Sequence, residues 1–96
     1  MRALLDVIVL IALLDADHAS HHTARSWFAS HATNGWASCA ITQDGCVRIM
    51  SHAGYPSARS VFEVAERLRV ATSQPEHEFI AVDAVVGAAA SHLVVL

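Results

Sequence analysis

The chain has 96 residues, enough for one small domain, and 54% of them are apolar, with a mean hydropathy of +0.41. This apolar content exceeds what so small a domain buries by itself, so part of the surface is expected to meet a partner. Nine acidic residues against six arginines, with no lysine, give a net charge of −3. That balance excludes a broad basic face for nucleic acid, and any contact with RNA is expected to be local.

The first segment predicts a buried strand that feeds a short helix. Residues Arg2 to Asp6 end in a carboxylate, and the run from Val7 to Leu14 is apolar. A basic start and an apolar run imitate a signal peptide, but Asp6 interrupts the pattern and the run is too short to span a bilayer. Cys39 and Cys46 lack CxxC spacing and resemble reduced thiols. We therefore expect a cytoplasmic protein without a membrane segment.

Helical and strand-like segments then alternate along the chain. A helix with an aromatic face is predicted from Ser20, a candidate N-cap, to the stop at Asn34-Gly35, and the clearest helix runs from about Ser57 to Thr72. The other predicted elements are a strand over Trp36 to Ile41, a helix capped by Thr42 and ending at Met50, and a strand over Glu78 to Val82. This β-α-α-β-α-α-β order predicts an α/β fold with a parallel sheet. The segment from Asp83 to Leu96 is compatible with helix or strand.

Asp6 is the first candidate for a functional residue. In a parallel α/β sheet, ligands bind beyond the carboxyl ends of the strands, and Asp6 ends the first predicted strand. A single aspartate in this position is more often a helix cap or a solvated loop acid than a ligand. Both interpretations stay open on this pattern alone.

A run of residues beyond Asp6 resembles a known family. The resemblance is carried by Met-Arg-Ala-Leu-Leu-Asp-Val-Ile-Val-Leu-Ile-Ala-Leu-Leu-Asp-Ala-Asp-His, by His21, His22, Ala24, Trp27 and Phe28, by Gly35-Trp36-Ala37-Ser38-Cys39, and by Ile41-Thr42-Gln43, Gly45, Arg48 and His77-Glu78-Phe79. In this order they are similar to the PIN-domain toxins of the VapC type, with a match that runs through about Phe79.

The resemblance implies a fold, an activity and partners. It implies a three-layer α/β/α PIN-like domain over residues 1–96, shortened at its C-terminus. It implies an endoribonuclease in which clustered acidic residues hold Mg²⁺, or Mn²⁺, with Asp6 as the first metal-binding and catalytic residue. Mg²⁺ suits this role because it prefers hard oxygen ligands, activates water and offsets phosphate charge. The implied partners are an RNA substrate and a VapB-type antitoxin, and the apolar surplus is compatible with a homodimer.

The chain departs from the family pattern near the first aspartate and in the second acidic region. The family usually carries Asn two residues after the first aspartate, where this chain has Ile8, so support from a neighbouring amide is lost. The second acidic position falls near Gln43 and Asp44, and Asp44 is the carboxylate of the two. Asp44 is therefore a second candidate metal ligand.

The third candidate metal ligand is Asp83. Asp83-Ala84 resembles the Asp-Ala start of a family helix that supplies further ligands, if a preceding segment is missing. Alternatively, Asp83 is the ordinary loop acid that follows His-Glu-Phe in the family, an interpretation that we favour slightly. The chain then stops short of the family's last elements, which predicts either an enzyme of reduced activity or an inactive protein that binds the antitoxin without cutting RNA.

Two further groups of polar residues have competing interpretations. Arg48 could bind the RNA backbone, or it could be a surface arginine paired with a nearby acid. A histidine-rich patch with the spacing of a loose transition-metal site comprises Asp15, Asp17, His18, His21 and His22. We expect this patch to consist of loop and cap residues.

Overall fold

The computed structural model describes residues 3–81 and 93–94, and its elements follow the predicted order. The strands are β1 (Ala3–Leu5), β2 (Trp36–Ser38), β3 (His77–Phe79) and β4 (Leu93–Val94), and the helices are α1 (Val7–Leu14), α2 (His21–His31), α3 (Ala40–Met50) and α4 (Val61–Thr72). A short 3-10 turn, Ala32–Asn34, follows α2. None of the described helices is long and apolar enough to cross a membrane.

The predicted helix boundaries differ from the observed ones where capping chemistry decides. Helix α3 begins two residues before Thr42, because the Thr42 hydroxyl lies in the first turn and accepts the Cys39 N–H at 3.0 Å. Helix α4 begins after Ser60, whose hydroxyl accepts the Glu63 N–H at 3.1 Å. Ser60, rather than Ser57, therefore starts that helix. Gly35 ends the α2 region as predicted, with a φ of 89° that favours glycine.

The strands form a four-stranded parallel sheet in the order β3-β2-β1-β4. Leu4 lies opposite both Ala37 of β2 and Leu93 of β4, so β1 is paired on both sides. Its side chains must therefore be apolar on both faces, and Leu4 and Leu5 are both buried. The predicted α/β class with a parallel sheet is confirmed.

The four helices pack as one layer on one face of the sheet. Right-handed crossovers from β1 to β2 and from β2 to β3 advance in the same direction, which places α1 to α4 on the same side. Helix α3 contacts both α1 and α4, and α1 contacts α2, as one layer requires. A three-layer arrangement also requires a helical layer on the other face of the sheet, which the chain between β3 and β4 would have to supply. Residues 82–92 of that connection lie outside the described residues.

The core lies between this layer and the sheet. Its buried members come from β1, β2 and three of the helices: Leu5, Val9, Leu10, Ile11, Trp36, Cys46, Met50, Val64 and Leu68. Cys39 and Cys46 are free and buried, and burial raises the pKa of the Cys46 thiol to about 12. Both cysteines are therefore packing residues, and Cys46 has little thiolate character.

The contact between α1 and α3 depends on Gly45. A methyl group added there would lie 3.0 Å from the Val7 Cγ2 atom, which is closer than ordinary packing allows. We expect Gly45→Ala to gain little or no stability, because crowding cancels the gain of about 1 kcal/mol that alanine normally gives in a helix. In a Val7→Ala background the same change should stabilise, with a coupling energy of about 1 kcal/mol in a double-mutant cycle of urea unfolding. Additive effects would contradict this packing.

Candidate functional site

Asp6 follows the last residue of β1 at the carboxyl edge of the parallel sheet. The strand order β3-β2-β1-β4 reverses between β1 and β4, so Asp6 lies beside a topological switch point. In open α/β sheets this is where ligands bind, because the chain turns away in opposite directions and leaves a crevice. The predicted position of Asp6 is confirmed, whereas its role as catalytic residue and metal ligand stays a prediction.

The Asp6 side chain is also the N-cap of α1. Its Oδ1 atom accepts the Val7 N–H at 2.8 Å, and its backbone is extended, with φ −69° and ψ 164°. The negative carboxylate is well placed at the positive end of the helix dipole. The Oδ2 atom makes no hydrogen bond within the described part of the chain, so one oxygen fixes the carboxylate while the other remains available.

Ile8 places a hydrocarbon where the family resemblance predicted an amide. Its side chain is 56% exposed on the first turn of α1. An exposed isoleucine cannot orient a carboxylate or a water molecule, so the neighbourhood of Asp6 has lost a polar support.

Asp44 is directed towards Arg48. The Arg48 Nη1 atom lies 3.4 Å from the Asp44 Oδ2 atom, and the side chains are 78% and 66% exposed. Asp44 also lines a groove between α3 and α4, whereas its neighbour Gly45 contacts α1. Asp44 and Arg48 therefore form an exposed ion pair on the surface of α3. The structure does not direct the Asp44 carboxylate towards Asp6.

A complete acidic cluster is not found in the described structure. Within residues 3–81 and 93–94, no three His, Cys, Asp or Glu side chains come together in a way that could hold a metal ion. Asp83, the third predicted ligand, lies outside the described residues. The described donor set is thus one available carboxylate oxygen, which is too little for a Mg²⁺ site by itself.

A polar chain that the sequence analysis did not single out lies at the same edge of the sheet. The Ser38 hydroxyl, fully buried at the end of β2, lies 2.7 Å from His77 Nε2 and accepts the Gln43 amide N–H at 2.9 Å. These contacts join β3, β2 and α3. Ser38 lay inside the predicted strand from Trp36 to Ile41, and the available signal was a serine within an apolar run, because a buried hydroxyl requires polar partners.

The histidine-rich patch extends from a cap through a loop into a helix: Asp15 caps the end of α1, Asp17 and His18 lie in the loop, and His21 and His22 are the first residues of α2. The His18 Nδ1 atom accepts the Ser20 N–H at 3.0 Å, and His21 Nδ1 lies 2.6 Å from the Ala12 carbonyl oxygen. Each of these rings is therefore used in local backbone contacts. The described residues contain no grouping here that fits a metal.

Asp15 forms the centre of a buried polar contact between two loops. It is 2% exposed, accepts hydrogen bonds from the Tyr55 hydroxyl and the Asp17 N–H, and lies 3.6 Å from Arg59 Nη1. We call Asp15, Tyr55 and Arg59 the loop clasp. Burial raises the pKa of Asp15, but the Tyr55 and Asp17 hydrogen bonds and the Arg59 charge outweigh it, so the pKa lies below its ordinary value.

The same clasp acts on Tyr55. Burial and the Asp15 carboxylate raise the pKa of Tyr55 to about 12. The neutral hydroxyl therefore remains a donor to Asp15 throughout the ordinary pH range.

Replacing Tyr55 by Phe should destabilise the fold. The change leaves a buried carboxylate oxygen unpaired, which costs about 1–3 kcal/mol. The pKa of Asp15 is lower in the folded protein than in the unfolded chain. The ionised Asp15 therefore stabilises the fold at pH values above the unfolded pKa, and this stabilisation is lost as the pH falls through the folded pKa. The difference in unfolding free energy between the parent and Tyr55→Phe should therefore shrink on acidification, measured by urea unfolding. Glu66→Gln, at the exposed ion pair with Arg69, is the control and should leave stability nearly unchanged. Equal stability of parent and Tyr55→Phe at neutral pH would contradict the clasp.

Curated relatives cover most of this chain. Ribonuclease VapC44 of Mycobacterium tuberculosis strain H37Rv is 54% identical over 79 residues, which are 82% of this chain and 56% of the relative. Ribonucleases VapC39 and VapC38 of the same strain are 45% and 38% identical over 77% and 84% of this chain, and over 49% and 58% of their own lengths. The chain thus spans about half the length of the curated relatives it matches. No protein-family profile matches it.

Proposed function

Because the chain belongs to the VapC family, we propose that it is a VapC-type toxin, a cytoplasmic endoribonuclease that cuts RNA with Mg²⁺ or Mn²⁺ and is neutralised by a VapB-type antitoxin. The observation that best supports this proposal is the position of Asp6. It follows β1 beside the topological switch point, in a chain whose curated relatives are named ribonucleases.

The described residues do not by themselves complete the Mg²⁺ site. Asp6 contributes one available oxygen, Asp44 is paired with Arg48, and a metal held by one carboxylate would keep most of its waters and bind weakly. A reduced ribonuclease activity fits this donor set, and Asp83 is a candidate for a second carboxylate.

What Asp6 itself does can be stated from its contacts. The hydrogen bond from Val7 holds the carboxylate against the start of α1 in one orientation. The free oxygen thus faces its ligand without first losing conformational freedom, which is the usual benefit of a preorganised group.

Cleavage of a mixed RNA substrate should require both Mg²⁺ and Asp6. Asp6→Asn keeps the shape of the cap but removes the charge, and it should lower the cleavage rate by more than about 100-fold, as loss of a direct metal ligand does. Cleavage is followed on denaturing gels with Mg²⁺, with Mn²⁺ and with a chelator. Asp44→Asn is the matched control and should leave the rate within about twofold, because Asp44 is paired with Arg48 at the surface. A cleavage rate that is unchanged both in the chelator and in Asp6→Asn would refute the proposal.

A second candidate function is binding of antitoxin without cleavage. Three exposed isoleucines favour it, because Ile8, Ile41 and Ile49 lie on α1 and α3 and are 56%, 61% and 43% exposed. Exposed apolar side chains on neighbouring helices are typical of a surface that a partner covers.

Co-purification separates the two functions. A tagged VapB-type antitoxin should retain the chain, and Ile41→Asp should weaken retention at least about tenfold, because it puts a charge into an apolar contact. Val70→Asp, at an exposed position of α4, is the control. Retention without metal-dependent cleavage would favour a protein that only binds the antitoxin. If Ile41→Asp is retained as well as Val70→Asp, the isoleucines of α1 and α3 do not form the binding surface.

A further inference from the structure

A mainly apolar cavity of about 440 Å³ lies beside the C-terminal end of α3, away from Asp6. It is lined by Arg48, Ile49, His52, Gly54, Tyr55 and Pro56. Helix α3 starts at the carboxyl edge of the sheet, and Arg48 lies in its last turn, about 12 Å further along the helix axis. The cavity is therefore separate from the place where Asp6 would act.

The contacts of His52 determine which of its nitrogens can donate. The Nδ1 atom accepts the Gly54 N–H at 2.9 Å, so in the neutral ring the proton is on Nε2. The ring is exposed, and its Nε2 atom has no hydrogen bond among the described residues. While Nδ1 accepts the Gly54 N–H, His52 has an N–H donor at Nε2 beside the cavity that it lines.

Arg48 supplies a charge beside this donor. Its ion pair with Asp44 is long, at 3.4 Å, and both side chains are largely exposed, so the pair contributes little and is readily exchanged. A guanidinium can bind a phosphate with two parallel N–H donors. Arg48 and His52 line the same cavity, so both side chains can donate to an anion bound there once Arg48 leaves Asp44.

The remaining wall of the cavity is apolar and fixed. Tyr55 cannot turn freely because its hydroxyl is held in the loop clasp, and Ile49 and Pro56 lie beside it. Such a wall suits the face of a base or a ribose next to the bound phosphate. A duplex would present stacked and paired bases, so the cavity favours a single strand.

We propose that Arg48 and His52 bind one phosphodiester of single-stranded RNA, with its nucleoside against Ile49, Tyr55 and Pro56. This subsite rests on the proposed ribonuclease function, since RNA is its ligand. The phosphodiester bound in this cavity is not the one that is cleaved, because the cavity is distant from Asp6. Helix C-termini disfavour anions, so binding here depends on the Arg48 charge.

The test measures RNA binding without cleavage. The full chain carrying Asp6→Asn is titrated in a chelator against a short fluorescent single-stranded RNA, and anisotropy reports the affinity. Arg48→Ala should weaken binding about tenfold, because a charged hydrogen-bonded contact contributes about 1.4 kcal/mol or more. It should also reduce the salt slope by about 0.7, as expected for one phosphate contact on a single strand. Arg69→Ala, which removes an equal charge from exposed α4, should change affinity by less than about twofold.

Two variants of His52 separate its donor from its structural role. His52→Asn can still accept the Gly54 N–H through its amide oxygen, as in an Asx turn, but it lacks a donor at the Nε2 position. His52→Gln places an amide nitrogen near that position. We expect His52→Asn to lose about fivefold in affinity and His52→Gln to stay within about twofold.

Several outcomes would overturn the subsite. The first is an equal loss of affinity in Arg48→Ala and Arg69→Ala. The second is a His52→Asn variant that binds as tightly as the parent or as tightly as His52→Gln. The third is a parent chain that binds duplex RNA more tightly than single-stranded RNA, or binds no RNA. Cleavage by the chain without Asp6→Asn is measured separately. If the chain with Asp6 cleaves RNA but Arg48→Ala leaves the affinity unchanged, only the subsite is rejected. If Arg48→Ala weakens binding but the chain with Asp6 does not cleave RNA, only the ribonuclease function is rejected.

Discussion

The packing of α1 against α3 is the constraint on which the site depends. Both helices begin directly after parallel strands, so their first turns lie side by side at the carboxyl edge of the sheet. Gly45 allows the Val7 side chain to approach the α3 backbone, and Val7 in turn follows Asp6. A larger residue at position 45 would separate the two helices, and Asp6 would move with α1. The position of the candidate ligand is thus set by a contact between apolar groups.

Much of this arrangement could be predicted from sequence because it follows from periodicity and from strand ends. Apolar runs located the first two strands, and the helical repeat located α4. Helix starts were less predictable, since serine and threonine cap a helix from more than one position. Thr42 bonds back to Cys39 from within the first turn, and Ser60 rather than Ser57 accepts the amide of Glu63. Which hydroxyl is used depends on the three-dimensional path of the preceding loop.

The site was predictable in position but less so in composition. A strand-end rule was sufficient for Asp6. The i, i+4 spacing was the local signal for the ion pair of Asp44 with Arg48, whereas the side of α3 on which the pair lies depends on packing against the neighbouring helices. The buried contacts of Ser38 with His77 and Gln43 join residues from separate elements, which single-sequence reasoning does not pair.

The loop clasp has a consequence for motion. Tyr55 is bonded to Asp15 and also forms a wall of the cavity that contains Arg48 and His52. The loop after α1 and the loop after α3 should therefore open together as one cooperative unit, since neither can leave without exposing the buried carboxylate. Amide hydrogens in the two loops would then exchange with a common opening free energy. In such a unit, a ligand that orders the second loop also slows opening of the first, although it touches no residue there.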